Sequence, residues 1–284
     1  MDDSGNFGAP PPPPPPSAGG GGQIPQRGLG DILSNAFQLY KANAAKLIQI
    51  VAIVVIPLTF ILALLTQVAF KQDCKDLNNI QDLNDLANRC TVSVGRTLLL
   101  SAITYFIAIA IQQLLLGALT RGAAGALLGR EVDVSASYRY AFARLGGLIG
   151  LALLVALIVG VGFILLVIPG IIFLVFLSMS VPAFIIERRG VTDSISRSWN
   201  LVSGSWWHVF GVIVVAAIIA GVVNGILTAI GGSTFIGAWL LSAIAQIITA
   251  PFVALVSVVL YVDLRVRHEN LDAGTLGRDL DAAV

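Results

Sequence analysis

Residues 198–262 read SWNLVSGSWWHVFGVIVVAAIIAGVVNGILTAIGGSTFIGAWLLSAIAQIITAPFVALVSVVLYV, without one aspartate, glutamate, lysine or arginine between Arg197 and Asp263. A helix crosses the hydrocarbon of a bilayer with about 20 predominantly apolar residues. The run therefore predicts two spans, and Gly231-Gly232-Ser233 marks the turn between them. Three more charge-free runs lie upstream, at residues 47–70, 97–120 and 145–186. The last is long enough for two short spans. Its turn is expected at Pro169-Gly170, with Gly160 and Gly162 as the alternative. Six helices follow, near residues 47–70, 97–120, 145–167, 171–187, 207–230 and 235–262. The fold class is all-α: a polytopic membrane helix bundle.

Composition agrees. Of the 284 residues 56% are apolar and 12% charged, against about 45–50% (glycine included) and about 25% in soluble domains. The mean hydropathy is +0.87. A soluble enzyme and a disordered or fibrous chain are excluded. A net charge of +1 supplies no basic field for nucleic acid. On the expected topology, Lys71, Lys75, Arg89 and Arg96 lie on one side and the other 13 of the 17 basic residues on the opposite side. The positive-inside rule then makes this a multi-pass protein of the cytoplasmic membrane with both termini in the cytoplasm.

Outside the membrane domain, residues 27–268, lie two tails. Residues 1–26 hold an unbroken proline run from Pro10 to Pro16 followed by four glycines. That is a stiff rod and a loose hinge, expected as a solvated tail with a proline-binding protein as its candidate partner. The opening MDDSGNFGAP has no basic n-region or apolar core, so no cleavable signal peptide is expected. Residues 269–284 are expected as a short C-terminal tail. Cys74 and Cys90 sit in the one sizeable outer loop, where a disulfide would close about 15 residues and contribute about 3 kcal/mol. Neither histidine is near enough in sequence to suggest zinc there.

Three segments share a frame. Leu29, Leu33, Phe37 and Tyr40 stand at offsets 0, 4, 8 and 11; so do Val134, Tyr138, Phe142 and Leu145, and again Val191, Ile195, Trp199 and Val202. This is the stripe of an amphipathic helix. Asp31, Ser34 and Gln38, then Ser135, Ser137 and Arg139, then Asp193, Ser194, Ser196 and Arg197 fall between the apolar positions. The expectation is a threefold repeat, each unit a cytoplasmic interfacial helix followed by a membrane hairpin. Trp206, Trp207 and Trp239 mark the membrane boundaries.

Chemistry is sparse. No ionisable residue sits in mid-span, so ion coupling has no obvious carrier. Gln112, Gln113, Asn224 and Gln246 are the polar residues of the spans. They are expected to bond across helices, and Gln112, Asn224 and Gln246 are the candidate lining of a polar cavity. His208 and His268 lie in no catalytic or metal-binding motif, and no glycine-rich phosphate loop is present. No catalytic residue, metal or cofactor is expected. Glu187, Arg197, Asp263 and Arg265 are the candidate ion-pair cluster, in which Asp263 or Glu187 joins Arg197 or Arg265 to clamp the last span to the third interfacial helix.

Residues 261–272, YVDLRVRHENLD, resemble the closing signature of the membrane domain of the glycerophosphoryl diester phosphodiesterase family. His268 and Asn270 stand where that signature has lysine and glycine. Residues 182–204, PAFIIERRGVTDSISRSWNLVSG, and the opening Gly30, Asp31, Ile32 and Leu33 with Phe37 and Tyr40 are similar to it too. The resemblance implies a membrane domain whose catalytic barrel belongs to a separate soluble part. A barrel of about 250 residues is not expected outside the membrane part, and no catalytic residue carries over, because none of the matching positions is catalytic. The reading is a non-enzymatic accessory or scaffold protein in contact with membrane lipids; the alternative is a small transporter or lipid-handling carrier. An intramembrane enzyme ranks third. A polar cavity lined by Gln112, Asn224 and Gln246 would favour transport, and a closed dry bundle with exposed oily stripes the scaffold.

Overall fold

The computed structural model describes residues 26–69, 73–74, 90–91, 94–230 and 235–281. The proline-rich tail and most of the outer loop lie outside the described residues. In chain order the helices are α1 (Leu29–Ala69), α2 (Val94–Leu127), α3 (Val134–Ala143), α4 (Leu145–Leu165), α5 (Val167–Leu177), α6 (Ser180–Ile186), α7 (Val191–Val202), α8 (Trp206–Ile230), α9 (Phe235–Glu269) and α10 (Ala273–Asp281). Six stretches are long and apolar enough to cross a membrane, with α5 and α6 together forming one of them. The molecule is a polytopic helical membrane protein. Charge-free sequence forms helices here because backbone groups in hydrocarbon must pair within their own segment.

β1 (Asp73–Cys74) and β2 (Cys90–Thr91) pair antiparallel between α1 and α2, with Cys74 opposite Cys90 in register. Their side chains lie outside those described, so the candidate disulfide is placed only by its backbone.

Each unit of the expected repeat appears as a helix, a break and two spans. In the first, the break is a non-helical residue inside α1, Asn43 (φ −119°, ψ 15°), whose Nδ2 donates to Leu39 O at 3.1 Å. In the second it is Arg144 (φ −110°, ψ 9°) between α3 and α4. In the third it is Ser203-Gly204-Ser205, with Gly204 at φ 84°, a conformation that suits glycine. The following spans pack as pairs: α1 on α2, α4 on α5, α8 on α9. The core runs along α9 and the inner faces of α1 and α2, and Tyr261, Leu255 and Leu260 are fully buried in it.

The face these amphipathic helices bury differs from the expected one. Offsets 3 and 7 are buried in all three units: Ile32 and Ala36, Ser137 and Ala141, Ser194 and Ser198. The aromatic residue at offset 8 points outward each time, with Phe37, Phe142 and Trp199 exposed by 52%, 70% and 39%. Two buried positions four apart form the seat, and three of the six are serines, of which Ser137 and Ser194 were expected on the wet face.

Ser198 shows why. The helical run from α5 to α6 is interrupted at Ser178 and Met179, leaving backbone groups without helical partners. Ser198 Oγ accepts from Met179 N at 3.1 Å and donates to Phe176 O at 2.6 Å. α3 serves the other end of α6. Tyr140 Oη donates to Ile185 O at 2.9 Å, and Arg144 Nη1 to Phe184 O at 2.8 Å. Arg188 closes that end in the left-handed region (φ 56°).

The turn of the second hairpin falls at neither expected place. It lies at Leu166, which is extended between α4 and α5. Pro169 enters the first turn of α5, where its missing N–H costs nothing. Gly162 stays helical and lets α4 meet α5: a Cβ there would lie 3.0 Å from Gly170 Cα and 2.7 Å from the Phe173 ring. The C-terminal residues are also more ordered than a tail. α10 folds back onto the bundle and buries Leu276 and Leu280, because both leucines lie on one face.

Candidate functional site

Two polar regions lie within the bundle. The first is a cavity of about 510 Å³ between α1, α2, α8 and α9, lined by Thr59, Gln112, Asn224, Ser242, Gln246 and Thr249 among apolar neighbours. A further cavity of about 350 Å³ shares Thr59, Gln112, Leu115 and Gln246 with it and adds Gln113. No charged side chain lines either. On α9, Ser242, Gln246 and Thr249 follow one another at helical spacing, which puts all three on one face. Counted back from Asp263 at 1.5 Å per residue, they lie about 21–32 Å from the charged end of that helix. Thr59, Ser242 and Thr249 were missed in the sequence; the spacing around Gln246 was the signal that could have found them.

The hydrogen bonds inside this cavity are uneven. Thr59 Oγ1 donates to Val55 O at 2.6 Å and accepts from Trp239 Nε1 at 3.0 Å. Thr249 Oγ1 donates to Ala245 O at 2.8 Å. Asn224 Nδ2 donates to Ala220 O at 2.7 Å and reaches across to Thr249 Oγ1 at 3.3 Å. Among the described residues the amides of Gln112, Gln113 and Gln246 make no hydrogen bond. The expected cross-helix bonding holds for Asn224 and not for the glutamines. Gln112 on α2 and Gln246 on α9 line the same cavities without bonding to each other.

The second region is at the charged end. Glu187 ends α6 and its side chain is 8% exposed. It receives Arg197 Nε at 2.9 Å and Nη2 at 2.9 Å, Arg189 Nε at 2.5 Å, and the hydroxyl of Tyr261. Arg265 Nε stands 3.3 Å away. Arg197 also pairs with Glu269, and Arg265 with Glu269 at 3.2 Å and Asp279 at 2.8 Å. The carboxylates of Glu187, Glu269 and Asp279 thus face the guanidiniums of Arg189, Arg197 and Arg265. The network ties α6, α7, α9 and α10 together. Burial by itself would push the Glu187 carboxyl up; hydrogen bonds from Arg197 and Tyr261 and the charge of Arg265 outweigh it and hold it below the usual range. Burial likewise opposes the charge on Arg197, but bonding to Glu269 and Glu187 raises its pKa overall. No sequence signal pointed to Asp279, which reaches Arg265 only because α10 folds back.

Asp263 does not belong to that network. It is fully buried and accepts from Arg27 N at 2.6 Å and Arg267 Nε at 2.6 Å. His208 Nε2 stands 3.5 Å from it, close enough to pair when protonated but not hydrogen bonded. Asp263 therefore fastens the start of α1 to α9. The expected pairing with Arg197 or Arg265 fails for a geometric reason: residues two apart on an α-helix point about 200° apart, so Asp263 and Arg265 serve opposite faces.

Among the described residues no group of three or more histidine, cysteine, aspartate or glutamate side chains is placed to hold a metal. The chain matches no family model, no curated protein and no solved structure.

Proposed function

We propose that this integral membrane protein is a non-enzymatic carrier for an uncharged polar or amphiphilic molecule, handled in the cavity between α1, α2, α8 and α9. The observation that carries the reading is the set of free amides. Gln112 and Gln246 face a cavity without charged lining and make no hydrogen bond among the described residues. Gln112 is exposed and Gln246 part-exposed in the cavity, and an amide without a partner at hydrocarbon depth is costly. A ligand with hydroxyl, ester or amide groups would pair them, because each amide both donates and accepts. The absence of charged lining speaks against an ionic substrate. The membrane is the cytoplasmic one in this reading, with the arginine-rich end inward. The residues that resemble the glycerophosphodiesterase membrane domain, Glu187, Arg197, Tyr261 and Arg265, form the ion network at the charged end of α9, away from the cavity, so that resemblance supports a shared scaffold and assigns no chemistry.

The test is reconstitution in liposomes with a panel of neutral solutes and lipids. Movement or retention of one of them, reduced in a Gln112→Leu, Gln246→Leu protein that folds normally, is expected. Equal behaviour of wild type and variant across the panel would overturn the reading. A second reading, a scaffold that shapes or recruits at one leaflet, rests on the outward Phe37, Phe142 and Trp199. Replacing all three with serine would abolish that role and leave cavity-dependent movement intact.

A further inference from the structure

Seven prolines, Pro10–Pro16, precede the bundle, and the chain enters it beside an aromatic groove. Arg27, eleven positions on from Pro16, is held on both sides of its backbone. Its N–H donates to Asp263 at 2.6 Å, and its carbonyl accepts from Arg267 Nη2. The same Asp263 stands 3.5 Å from His208 of α8. Leu29 of α1 meets α8 at Gly211, where a Cβ would lie 3.1 Å from Leu29 Cδ1. Trp206, Trp207 and Phe210 of α8 wall a groove of about 600 Å³ with Ile168, Ile171 and Phe176 of α5. Successive residues of an α-helix point about 100° apart, which sets Trp207 between the groove and the face of α8 that takes Asp263 and Leu29. Trp207 is 78% exposed, so no described element stands between the two. The path around a helix about 10–12 Å across is about 10 Å, whereas the eleven residues from Pro16 to Arg27 reach up to about 36 Å.

We propose that the proline run of this chain docks in the groove between α5 and α8 as a polyproline II rod packed on Trp207 and Phe210. Three features of the groove select this occupant. Its wall is aromatic: Trp206 stacks on Phe210 with 5.0 Å between ring centroids, and Trp207 meets Phe210 edge-on at 6.1 Å. Proline-rich segments bind aromatic-lined grooves as preformed rods. Its polar chemistry is one-sided. Among the described residues that line it, the only polar side-chain atoms are indole nitrogens, which donate and do not accept. Trp207 makes no hydrogen bond among the described residues. A proline run is the complement, with carbonyls to accept and no N–H to satisfy. Any other peptide would bring N–H groups to a groove without a side-chain acceptor, at the cost of desolvating them. The depth fits as well. Trp206 and Trp207 open α8 directly after the Ser203-Gly204-Ser205 break, at the headgroup level that tryptophan favours, so carbonyls on the outer edge of the rod stay within reach of water. Three residues per turn put Pro10, Pro13 and Pro16 on one edge to face the rings together. A tether of this length gives the run an effective concentration of about a millimolar, which favours this chain's own prolines over those of another protein.

The experiment uses the full chain in phosphatidylcholine nanodiscs, with photoreactive benzoylphenylalanine in place of Ser17, beside the run. An equal mixture of isotopically light and heavy protein is assembled, irradiated and peptide-mapped. Crosslinks are expected at residues 168–176 and 206–210, joining light to light and heavy to heavy. Trp207→Ala, at an exposed position, should cut them about tenfold with Tm unchanged. Pro11→Ser with Pro13→Ser and Pro15→Ser, which leaves the bundle untouched, should cut them as much. Phe142→Ser, which removes an exposed ring elsewhere, should leave them as they are, and an equal fall there overturns the proposal. Mixed light–heavy crosslinks would give the groove to a second copy's tail and overturn the dock within one chain. Adducts to phosphatidylcholine in place of protein crosslinks, or crosslinks insensitive to both the Trp207 and the proline variants, overturn it too, because acyl chains then fill the groove.

Discussion

At one end of α9 the carboxylate of Glu187 is surrounded by Arg189, Arg197, Arg265 and Tyr261; about 28 Å along the same helix, Gln246 makes no hydrogen bond among the described residues. Both are polar groups inside a membrane protein. One region spends its polarity on itself, with carboxylates matched to guanidiniums across α6, α7, α9 and α10. The other leaves donors and acceptors facing open space. A closed network stabilises the fold and offers a ligand nothing, whereas free amides contribute little to the fold and are available for binding. The contrast separates structural from functional polarity in a chain that carries no catalytic motif.

The largest effect is expected at Glu187. Glu187→Ala leaves Arg197 and Arg265 beside a vacated carboxylate site, and breaking a buried pair costs about 3–5 kcal/mol. Thermal unfolding in detergent should show a clear fall in Tm, and a Tm equal to wild type would mean that the network is not closed. Asp263→Asn should lower Tm less than Glu187→Ala and much more than Asp281→Asn. Asp263 is fully buried, whereas Asp281 pairs with Arg130 on the exposed surface. Because the Asp263 and Glu187 networks share no residue, a double variant should show additive losses; strong non-additivity would merge the two clusters.

The acid limb of stability comes next in size. The Glu187 carboxyl is held below its ordinary pKa in the folded protein, so the unfolded chain takes up its proton first as pH falls. Stability then drops as pH goes from the ordinary glutamate range down through the lowered folded value, and the contribution is fully present above the ordinary range. Glu187→Gln should flatten that decline in Tm measured from pH 6 downward. An unchanged slope would place the titration elsewhere. The smallest effect belongs to the cavity. Gln112→Leu and Gln246→Leu remove amides that bond to nothing, and Tm should stay within about 1 kcal/mol equivalent of wild type. A loss comparable to that of Glu187→Ala would make the cavity structural and erase the contrast.

Much of this architecture was legible beforehand. A formal charge cannot be left unpaired in hydrocarbon, so its absence from residues 47–70, 97–120, 145–186 and 198–262 located the spans. The period of the three amphipathic segments located the helices that precede each hairpin. Gln112, Asn224 and Gln246 stood out as polar residues in apolar surroundings, and they share one cavity. What hydropathy misjudged was the buried serine. Ser137 and Ser194 read as wet yet are buried, and Ser198 of the same seat satisfies the backbone at the break between α5 and α6.

The sequence by itself determined where the chain meets lipid, since that depends only on local composition and on a helix being the sole open solution for a backbone in hydrocarbon. Only the tertiary structure decided which polar groups find partners. That outcome depends on distances of a few ångström between helices remote in sequence. It turned Asp263 toward Arg27 rather than Arg197, folded Asp279 back onto Arg265, and left the amides of Gln112 and Gln246 without a hydrogen bond among the described residues.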